Sequence, residues 1–201
     1  MTAIIDYDAG NMKSVEKALI RLGDNPVMTR DPEVILSADH IILPGVGAFG
    51  DAMEKLKEYD LIPVIKEAVK RNIPFLGICL GMQLLFASSD EAPGVEGLDL
   101  LPGKVLQIPA EEGLKIPHMG WNDLYYDNPG RLFEGIDEHS YVYFVHSFYL
   151  RADDPSIVTA SARYGVKVDA SVERGNLFGC QFHPEKSSDT GLTILKNFLS
   201  I

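Results

Sequence analysis

The chain has 201 residues, is 46% hydrophobic and carries a formal net charge of −11, which fits a single domain spanning residues 1–201. A charge of this sign repels a nucleic-acid backbone, and no apolar run reaches the roughly 18–20 residues that a membrane span needs. We therefore expect neither nucleic acid nor membrane among its partners. The N-terminus enters a strand without a basic region, which predicts no secretory signal and a cytoplasmic location.

The first half of the chain alternates predicted strands with predicted helices. Short apolar runs predict strands over residues 4–7, 27–29, 40–43 and 75–78. Apolar residues at helical spacing predict helices over residues 12–22, from residue 32 onward, and over 51–71 with a break near Pro63.

The second half is richer in strands. After a Pro/Gly-rich stretch, strands are predicted over residues 105–108, 124–126, 141–145, 157–163, 168–173 and 177–182, and a terminal helix over 188–199. Repeated strand–helix units predict an α/β fold: a mostly parallel central sheet with helices on both faces and additional antiparallel strands in the second half. Catalytic loops are then expected at the carboxyl ends of the parallel strands.

The segment Gly-Ile-Cys-Leu-Gly at residues 77–81 has the pattern of a nucleophile elbow, a sharp strand-to-helix turn that exposes one side chain. Glycines flank Cys79 because such a turn leaves no room for Cβ atoms. Apolar residues over 82–86 predict the helix that follows, whose N-terminus would favour the thiolate. The alternative is a buried structural cysteine in a Gly-rich turn.

A thiol nucleophile needs a base, and the base needs an orienting group. His183 and Glu185 lie on either side of Pro184 at the end of a predicted strand, and in extended backbone they project to the same side. They form a candidate triad with Cys79. Taken alone, the His-Pro-Glu segment is as typical of the ordinary end of a strand as of a catalytic site.

Acyl transfer also requires hydrogen-bond donors for the oxyanion. An elbow supplies the N–H of the residue after the nucleophile, here Leu80. The glycine-rich loop 44–50 follows a predicted strand and is a candidate for the second donor. A phosphate-binding loop is the alternative, but no Lys-Ser/Thr pair follows it and the acidic Asp51 would repel phosphate.

Cys180 is the only other cysteine. It stands at an odd offset from His183 on the same predicted strand, and therefore on the opposite face. A Cys-x-x-His zinc site is not favoured, and we expect a core residue, no metal and no cofactor. A disulfide to Cys79 would silence the nucleophile, so reducing conditions are implied.

Together these segments resemble the class I glutamine amidotransferases of the Cys-His-Glu kind, which have a flavodoxin-like fold, and within them the glutaminases that serve histidine biosynthesis. The resemblance covers essentially the whole chain. The matching motifs are Asp-Ala-Gly-Asn at 8–11, Pro-Gly-Val-Gly at 44–47 with Phe-Gly at 49–50, Gly-Ile-Cys-Leu-Gly-Met-Gln at 77–83, Glu-Ala-Pro-Gly at 91–94, Pro-His-Met-Gly-Trp-Asn at 117–122, Phe-Val-His-Ser at 144–147 and His-Pro-Glu-Lys-Ser at 183–187.

The resemblance implies hydrolysis of glutamine to glutamate and ammonia through a thioester on Cys79. His183 would move the protons, Glu185 would orient His183, and Gly47 and Leu80 would form the oxyanion hole. The same resemblance assigns the substrate to Gln83, Glu91, His146, Ser147 and Phe148. Gln83 is also placed near the nucleophile by its position one helical turn after Cys79, with a solvated helix residue as the alternative.

The resemblance further implies that ammonia passes to a (β/α)8-barrel cyclase subunit, which makes imidazole glycerol phosphate and an aminoimidazole carboxamide ribotide. The docking face would include Asn11, Trp121, Asn122 and Lys186. Tryptophan is enriched at interface hot spots. Without the resemblance, a core position would be the better expectation for Trp121.

Two other functions remain open at the level of sequence. One is a free-standing cysteine peptidase or amidase on the same fold, although the His-Met-Gly-Trp-Asn segment has no obvious role in it. The other is a non-catalytic module that binds glutamine, against which stands the presence of every triad member.

Overall fold

The computed structural model describes residues 1–126 and 128–201. Eleven strands are found in this part of the chain. They are β1 (Thr2–Ile5), β2 (Val27–Thr29), β3 (His40–Gly45), β4 (Phe75–Cys79), β5 (Gly103–Gln107), β6 (His118–Asp123), β7 (Tyr141–His146), β8 (Phe148–Ala152), β9 (Val158–Tyr164), β10 (Val166–Arg174) and β11 (Leu177–Cys180).

Seven of these strands form the central sheet, in the order β2-β1-β3-β4-β11-β10-β9. The first five are parallel, whereas β10 and β9 are antiparallel to their neighbours. Two small antiparallel sheets, β5–β8 and β6–β7, stand beside it. The predicted mostly parallel sheet with additional antiparallel strands is therefore confirmed.

Helices cover both faces of the central sheet, as predicted. They are α1 (Met12–Arg21), α2 (Pro32–Leu36), α3 (Phe49–Glu58), α4 (Leu61–Lys70), α5 (Leu80–Gln83) and α6 (Ser188–Leu199). Residues of α1 and α6 pack in one apolar cluster, and residues of α2, α3 and α4 pack in another. Among the described residues, none of these helices combines the length and apolarity needed to cross a membrane.

The alternation of side chains along β1 shows why two helical layers are needed. Ala3 and Ile5 belong to the cluster that holds α2–α4, whereas Ile4 between them belongs to the cluster that holds α1 and α6. All three side chains are completely buried. A strand that is apolar on both sides must be covered on both sides.

The break in the predicted helix over 51–71 lies at Asp60 and not at Pro63. Asp60 has a left-handed backbone conformation, with φ 52°, and separates α3 from α4. Pro63 is the third residue of α4, where a backbone N–H has no partner within the helix in any case. A break near Pro63 is therefore found, as predicted, but the proline does not cause it, because proline is tolerated in a first turn.

Several other predicted bounds are corrected by the structure. The helix after the elbow ends at Gln83 rather than continuing to residue 86. The strand predicted over 124–126 is only an isolated bridge between Tyr125 and Ser161. The strand actually present, β6, escaped prediction because its inward face carries His118, Gly120 and Asn122, which give no apolar alternation. The strand β8 was also missed, because it follows β7 after a single residue.

Candidate active site

Three parallel strands of the central sheet end side by side at the site. Gly45 at the end of β3 pairs with Cys79 at the end of β4, and β11 runs parallel to β4 on its other side. Because the carboxyl ends of parallel strands share one edge of the sheet, the loops that follow them converge there. This places the loop after β3, the elbow and the His-Pro-Glu segment together.

The turn at Cys79 has the geometry of a nucleophile elbow. Cys79 has φ 55° and ψ −112°, a conformation that residues with a Cβ atom rarely adopt. A Cβ atom on Gly77 would lie 2.7 Å from the Gly81 carbonyl oxygen, and one on Gly81 would overlap the Leu43 carbonyl oxygen. The flanking glycines are therefore required by close backbone approach, as predicted.

The imidazole of His183 is held by Glu185. His183 Nδ1 donates to Glu185 Oε1 over 2.8 Å, and both side chains are at most 2% exposed. The predicted route to this contact was wrong, however, because β11 ends at Cys180 and residues Pro184–Lys186 form a 3-10 turn. The turn, rather than extended backbone, brings the carboxylate back to the ring.

The second ring nitrogen of His183 is available to the nucleophile. His183 Nε2 is buried and has no hydrogen-bond partner among the described residues. Burial disfavours the charged ring, but the interactions with Cys79 and Glu185 outweigh it and raise the pKa of His183 to about 9. The surroundings of His183 therefore stabilise a bound proton, as a base that accepts one from a thiol requires.

A cavity of about 350 Å³ opens at the nucleophile, within the size range of small-ligand sites. Its lining includes all the residues predicted for the oxyanion and the substrate. The lining residues are Val46, Gly47, Cys79, Leu80, Gln83, Glu91, Pro117, Val145, His146, Ser147 and Phe148. Of the triad, only Cys79 is part of this lining.

Two of these residues have a distinctive local geometry. Gly47 has φ +104°, a conformation that favours glycine, and no heavy atom beyond its chain neighbours would lie within 4 Å of a Cβ atom placed on it. Glu91 Oε2 accepts a hydrogen bond from the Phe49 backbone N–H over 2.9 Å, at the first residue of α3. This bond ties the wall that carries Glu91 to the helix that follows the Gly47 loop.

The amide nitrogen of Gln83 is already committed within the protein. Gln83 Nε2 donates to the Phe148 carbonyl and to Gln181 Oε1, each over 2.9 Å. Gln181 Nε2 in turn lies 3.7 Å from Cys79 Sγ. Gln181 was not predicted as a site residue, although a glutamine inside an apolar strand run that leads to the catalytic edge is a signal that could have identified it.

The predicted docking residues lie at or near the surface. Trp121 is 52% exposed, which excludes a core position, and its ring meets Tyr143 edge to face. Lys186 is exposed and Asn11 half-buried. Asn122 is also half-buried, and its amide nitrogen donates to the Arg163 carbonyl over 2.9 Å.

Cys180 lies in the core, as predicted, and is completely buried. Burial raises the pKa of its thiol to about 12, and Ser171 Oγ lies 3.9 Å from its sulfur. Within the described residues, no group of three or more His, Cys, Asp or Glu side chains is arranged to hold a metal ion.

The model of the class-I glutamine amidotransferase family matches residues 3–201. The chain therefore belongs to this family. It is also 54% identical over 196 residues to the imidazole glycerol phosphate synthase subunit HisH of Moorella thermoacetica, covering 98% of this chain and 92% of that protein. The subunit of the same name from Bacillus cereus strain G9842 is 50% identical over 201 residues, with 100% and 95% covered.

Solved structures agree on the fold. The PurLQS structure from Thermotoga maritima superposes with a TM-score of 0.78 at 24% identity, covering 99% of this chain and 97% of that one. The glutaminase domain of Trypanosoma brucei CTPS with bound acivicin gives a TM-score of 0.67 at 17% identity, with 99% and 93% covered. At these identities the likeness concerns the fold alone.

Proposed function

We propose that this chain is the glutaminase subunit of an imidazole glycerol phosphate synthase and hydrolyses glutamine to glutamate and ammonia. The observation that carries the proposal is Cys79, on a strained elbow at the wall of a small cavity, close to an imidazole that Glu185 orients. The high identity to subunits with this name supports the choice within the family.

In the proposed acylation step, His183 Nε2 holds the proton taken from the Cys79 thiol, and Cys79 Sγ attacks the side-chain amide carbon of glutamine. The backbone N–H groups of Leu80 and Gly47 receive the charge that develops on the carbonyl oxygen. Collapse of the tetrahedral intermediate breaks the C–N bond, and the imidazolium returns its proton to the leaving ammonia. This leaves a γ-glutamyl thioester on Cys79.

Deacylation repeats the sequence with water. His183 removes a proton from the attacking water, the C–S bond breaks, and the proton returns to the Cys79 sulfur. Glu185 holds the ring in the required orientation. Gln83, Glu91 and the backbone of residues 146–148 bind the amino-acid end of the substrate.

We propose that ammonia then passes to a (β/α)8-barrel cyclase subunit docked against Asn11, Trp121, Asn122 and Lys186, in the cytoplasm. The exposed indole of Trp121 supports this face, because large aromatic side chains dominate interface energetics. Ammonia is lost readily to bulk water, so a closed path between the subunits would be required.

The test is glutamate release from glutamine by the purified chain, alone and with the barrel subunit and its ribotide ligand. We expect strong activity in the liganded complex, abolished in C79A and retained in C180A, which removes the other thiol. Activity that survives C79A would refute the mechanism. Full activity of the free chain would favour an independent amidase, and no activity in either state would favour a glutamine-binding module.

A further inference from the structure

Two buried histidines lie outside the triad and touch each other. His118 on β6 and His146 on β7 are register partners on the inward face of the β6–β7 hairpin, and their Nδ1 and Nε2 atoms are 2.9 Å apart. The ring of His118 is stacked between Phe144 and Tyr164, with centroid separations of 4.6 and 4.0 Å. The proposed chemistry assigns no proton transfer to either ring.

The direction of each hydrogen bond in this pair follows from a single carbonyl group. The Phe148 carbonyl oxygen, which can only accept, lies 2.9 Å from His146 Nδ1, so Nδ1 carries a hydrogen. In the neutral ring His146 Nε2 is then an acceptor, and His118 Nδ1 must donate to it. His118 Nε2 accepts in turn from Asn122 Nδ2 over 3.3 Å.

The buried surroundings of His118 and His146 favour the neutral form of both rings. Burial lowers the pKa of His118 to about 4, and burial likewise lowers the pKa of His146 to about 3. The donors therefore all point one way, from Asn122 through both rings to the Phe148 carbonyl.

The same carbonyl fixes a second arm that ends at the nucleophile. Gln83 Nε2 donates to the Phe148 oxygen, and its other hydrogen meets Gln181 Oε1. With Oε1 occupied as an acceptor, Gln181 must direct its Nε2 hydrogens toward Cys79 Sγ, 3.7 Å away. The opposite amide orientation would place two N–H groups against each other.

The sulfur also has an acceptor for its neutral form. Cys79 Sγ lies 3.8 Å from the Val145 carbonyl oxygen, which can accept from the thiol but would repel a thiolate. An amide N–H has the opposite preference, because a hydrogen bond to an ionised acceptor is stronger than one to a neutral acceptor. Gln181 therefore becomes more favourable as Cys79 loses its proton.

We propose that Gln181 is a catalytic residue that donates to the Cys79 thiolate. The two histidines are then positioning residues: they hold the Phe148 carbonyl, and this carbonyl fixes the orientation of Gln181 through Gln83. The catalytic role of Gln181 rests on the proposed function. The resulting Cys79 hydrogen-bond chain consists of Asn122, His118, His146, the Phe148 carbonyl, Gln83 and Gln181. Since Asn122 is next to Trp121, the chain connects the proposed docking face to the nucleophile.

The first test replaces Gln181 by methionine, which has a similar volume and no donor, in a C180A background. We expect the alkylation of Cys79 by iodoacetamide at pH 7 to slow about tenfold. In the complex, kcat for glutamine should fall by a similar factor with KM nearly unchanged. Q107M makes the same change at an exposed position of β5 and should alter neither quantity.

Unchanged alkylation in Q181M would overturn the proposal. Because alkylation requires no glutamine, a wild-type complex that releases no glutamate would refute the proposed function while leaving the role of Gln181 at the sulfur measurable.

The second test addresses the histidine arm and remains informative if Q181M does not fold. H118F keeps an aromatic ring in the stack but removes the donor to His146, whereas H118N keeps an N–H near the Nδ1 position and loses the stack. We expect H118F to slow alkylation about threefold, and H118N to restore most of the rate. Equal rates in H118F and wild type, or an H118N rate as low as that of H118F, would overturn the assignment of this arm.

Discussion

Cys79 combines a strained backbone with the neighbouring groups that a reactive thiol needs. Its left-handed φ costs on the order of 1–3 kcal/mol, which the surrounding close contacts must sustain. In return the sulfur faces a cavity, lies beside a base and has both an acceptor and a donor within 4 Å. Strain at this residue is thus part of the site.

His183 should link the stability of the protein to pH. Its pKa is raised from an ordinary 6.5 to about 9 in the folded chain. The stabilisation is then fully present below about pH 6.5 and is lost as pH rises through 9, amounting to about 3 kcal/mol. We expect denaturant unfolding in reducing buffer to show this loss between pH 6 and pH 9.5 in the wild type and much less of it in H183Q.

The pKa of His183 can also be used to test its coupling to Cys79. Because Cys79 and Glu185 both raise it, C79A should lower the pKa of His183 measured by NMR titration relative to the wild type. An identical titration in the two proteins would contradict the coupling between the sulfur and the ring.

Among the elements, the elbow depends on close contact between β3, β4 and α5. Gly81, in the first turn of α5, approaches the Leu43 carbonyl of β3 so closely that no side chain fits. The short helix is therefore locked against the sheet, and the position of Cys79 follows from that packing.

Gly81→Ala should destabilise the protein by at least about 2 kcal/mol, because the added methyl group overlaps backbone that belongs to the central sheet. The matched control is Gly50→Ala in α3, where a Cβ atom would lie 3.4 Å from the Ala92 methyl group. That variant should be as stable as the wild type or more stable by up to about 1 kcal/mol.

Unfolding of both glycine variants should be followed by far-UV circular dichroism and by Trp121 fluorescence. Coincident transitions would also support our proposal that residues 1–201 form one domain. Equal stability of the two variants would show that the elbow can relax.

At the scale of the whole molecule, the β6–β7 hairpin has two different faces. Its inward face carries the buried His118 and His146, and its outward face carries Met119, Trp121 and Tyr141, each more than half exposed. The inward face also carries Val142 and Phe144, both completely buried, so apolar side chains lie on both faces of the hairpin. The hairpin is thus suited to bind a partner on one side and to organise polar contacts on the other.

Trp121→Ala should weaken binding of the barrel subunit at least about 30-fold, the effect of losing a hot spot worth about 2 kcal/mol. The stability of the free chain should change by less than about 0.5 kcal/mol, because the indole is 52% exposed. The control is Ile20→Ala, which removes an apolar side chain that is 56% exposed near the end of α1 farther from Asn11. Isothermal titration calorimetry with the barrel subunit gives the affinity of each variant. If Trp121→Ala bound as tightly as the wild type, Trp121 would not belong to the interface.

Local patterns were sufficient to predict the elements that depend on neighbouring residues. The terminal helix was predicted at its observed bounds, and the elbow was recognised because its glycines lie only two residues from its nucleophile in the chain. The contact of His183 with Glu185 was predicted for the same reason, since the two residues are separated by one proline, even though the turn between them was not foreseen.

Tertiary structure alone decided the contacts between residues that are far apart in the chain. Gln181 is 102 residues from Cys79 and His146 is 28 residues from His118, and no periodicity relates either pair. The exposure of Trp121 likewise depends on which face of a hairpin the core covers. Local steric and covalent constraints are written in short segments, whereas hydrogen-bond partners and burial are set by strand order and register, which arise only when the whole sheet has formed.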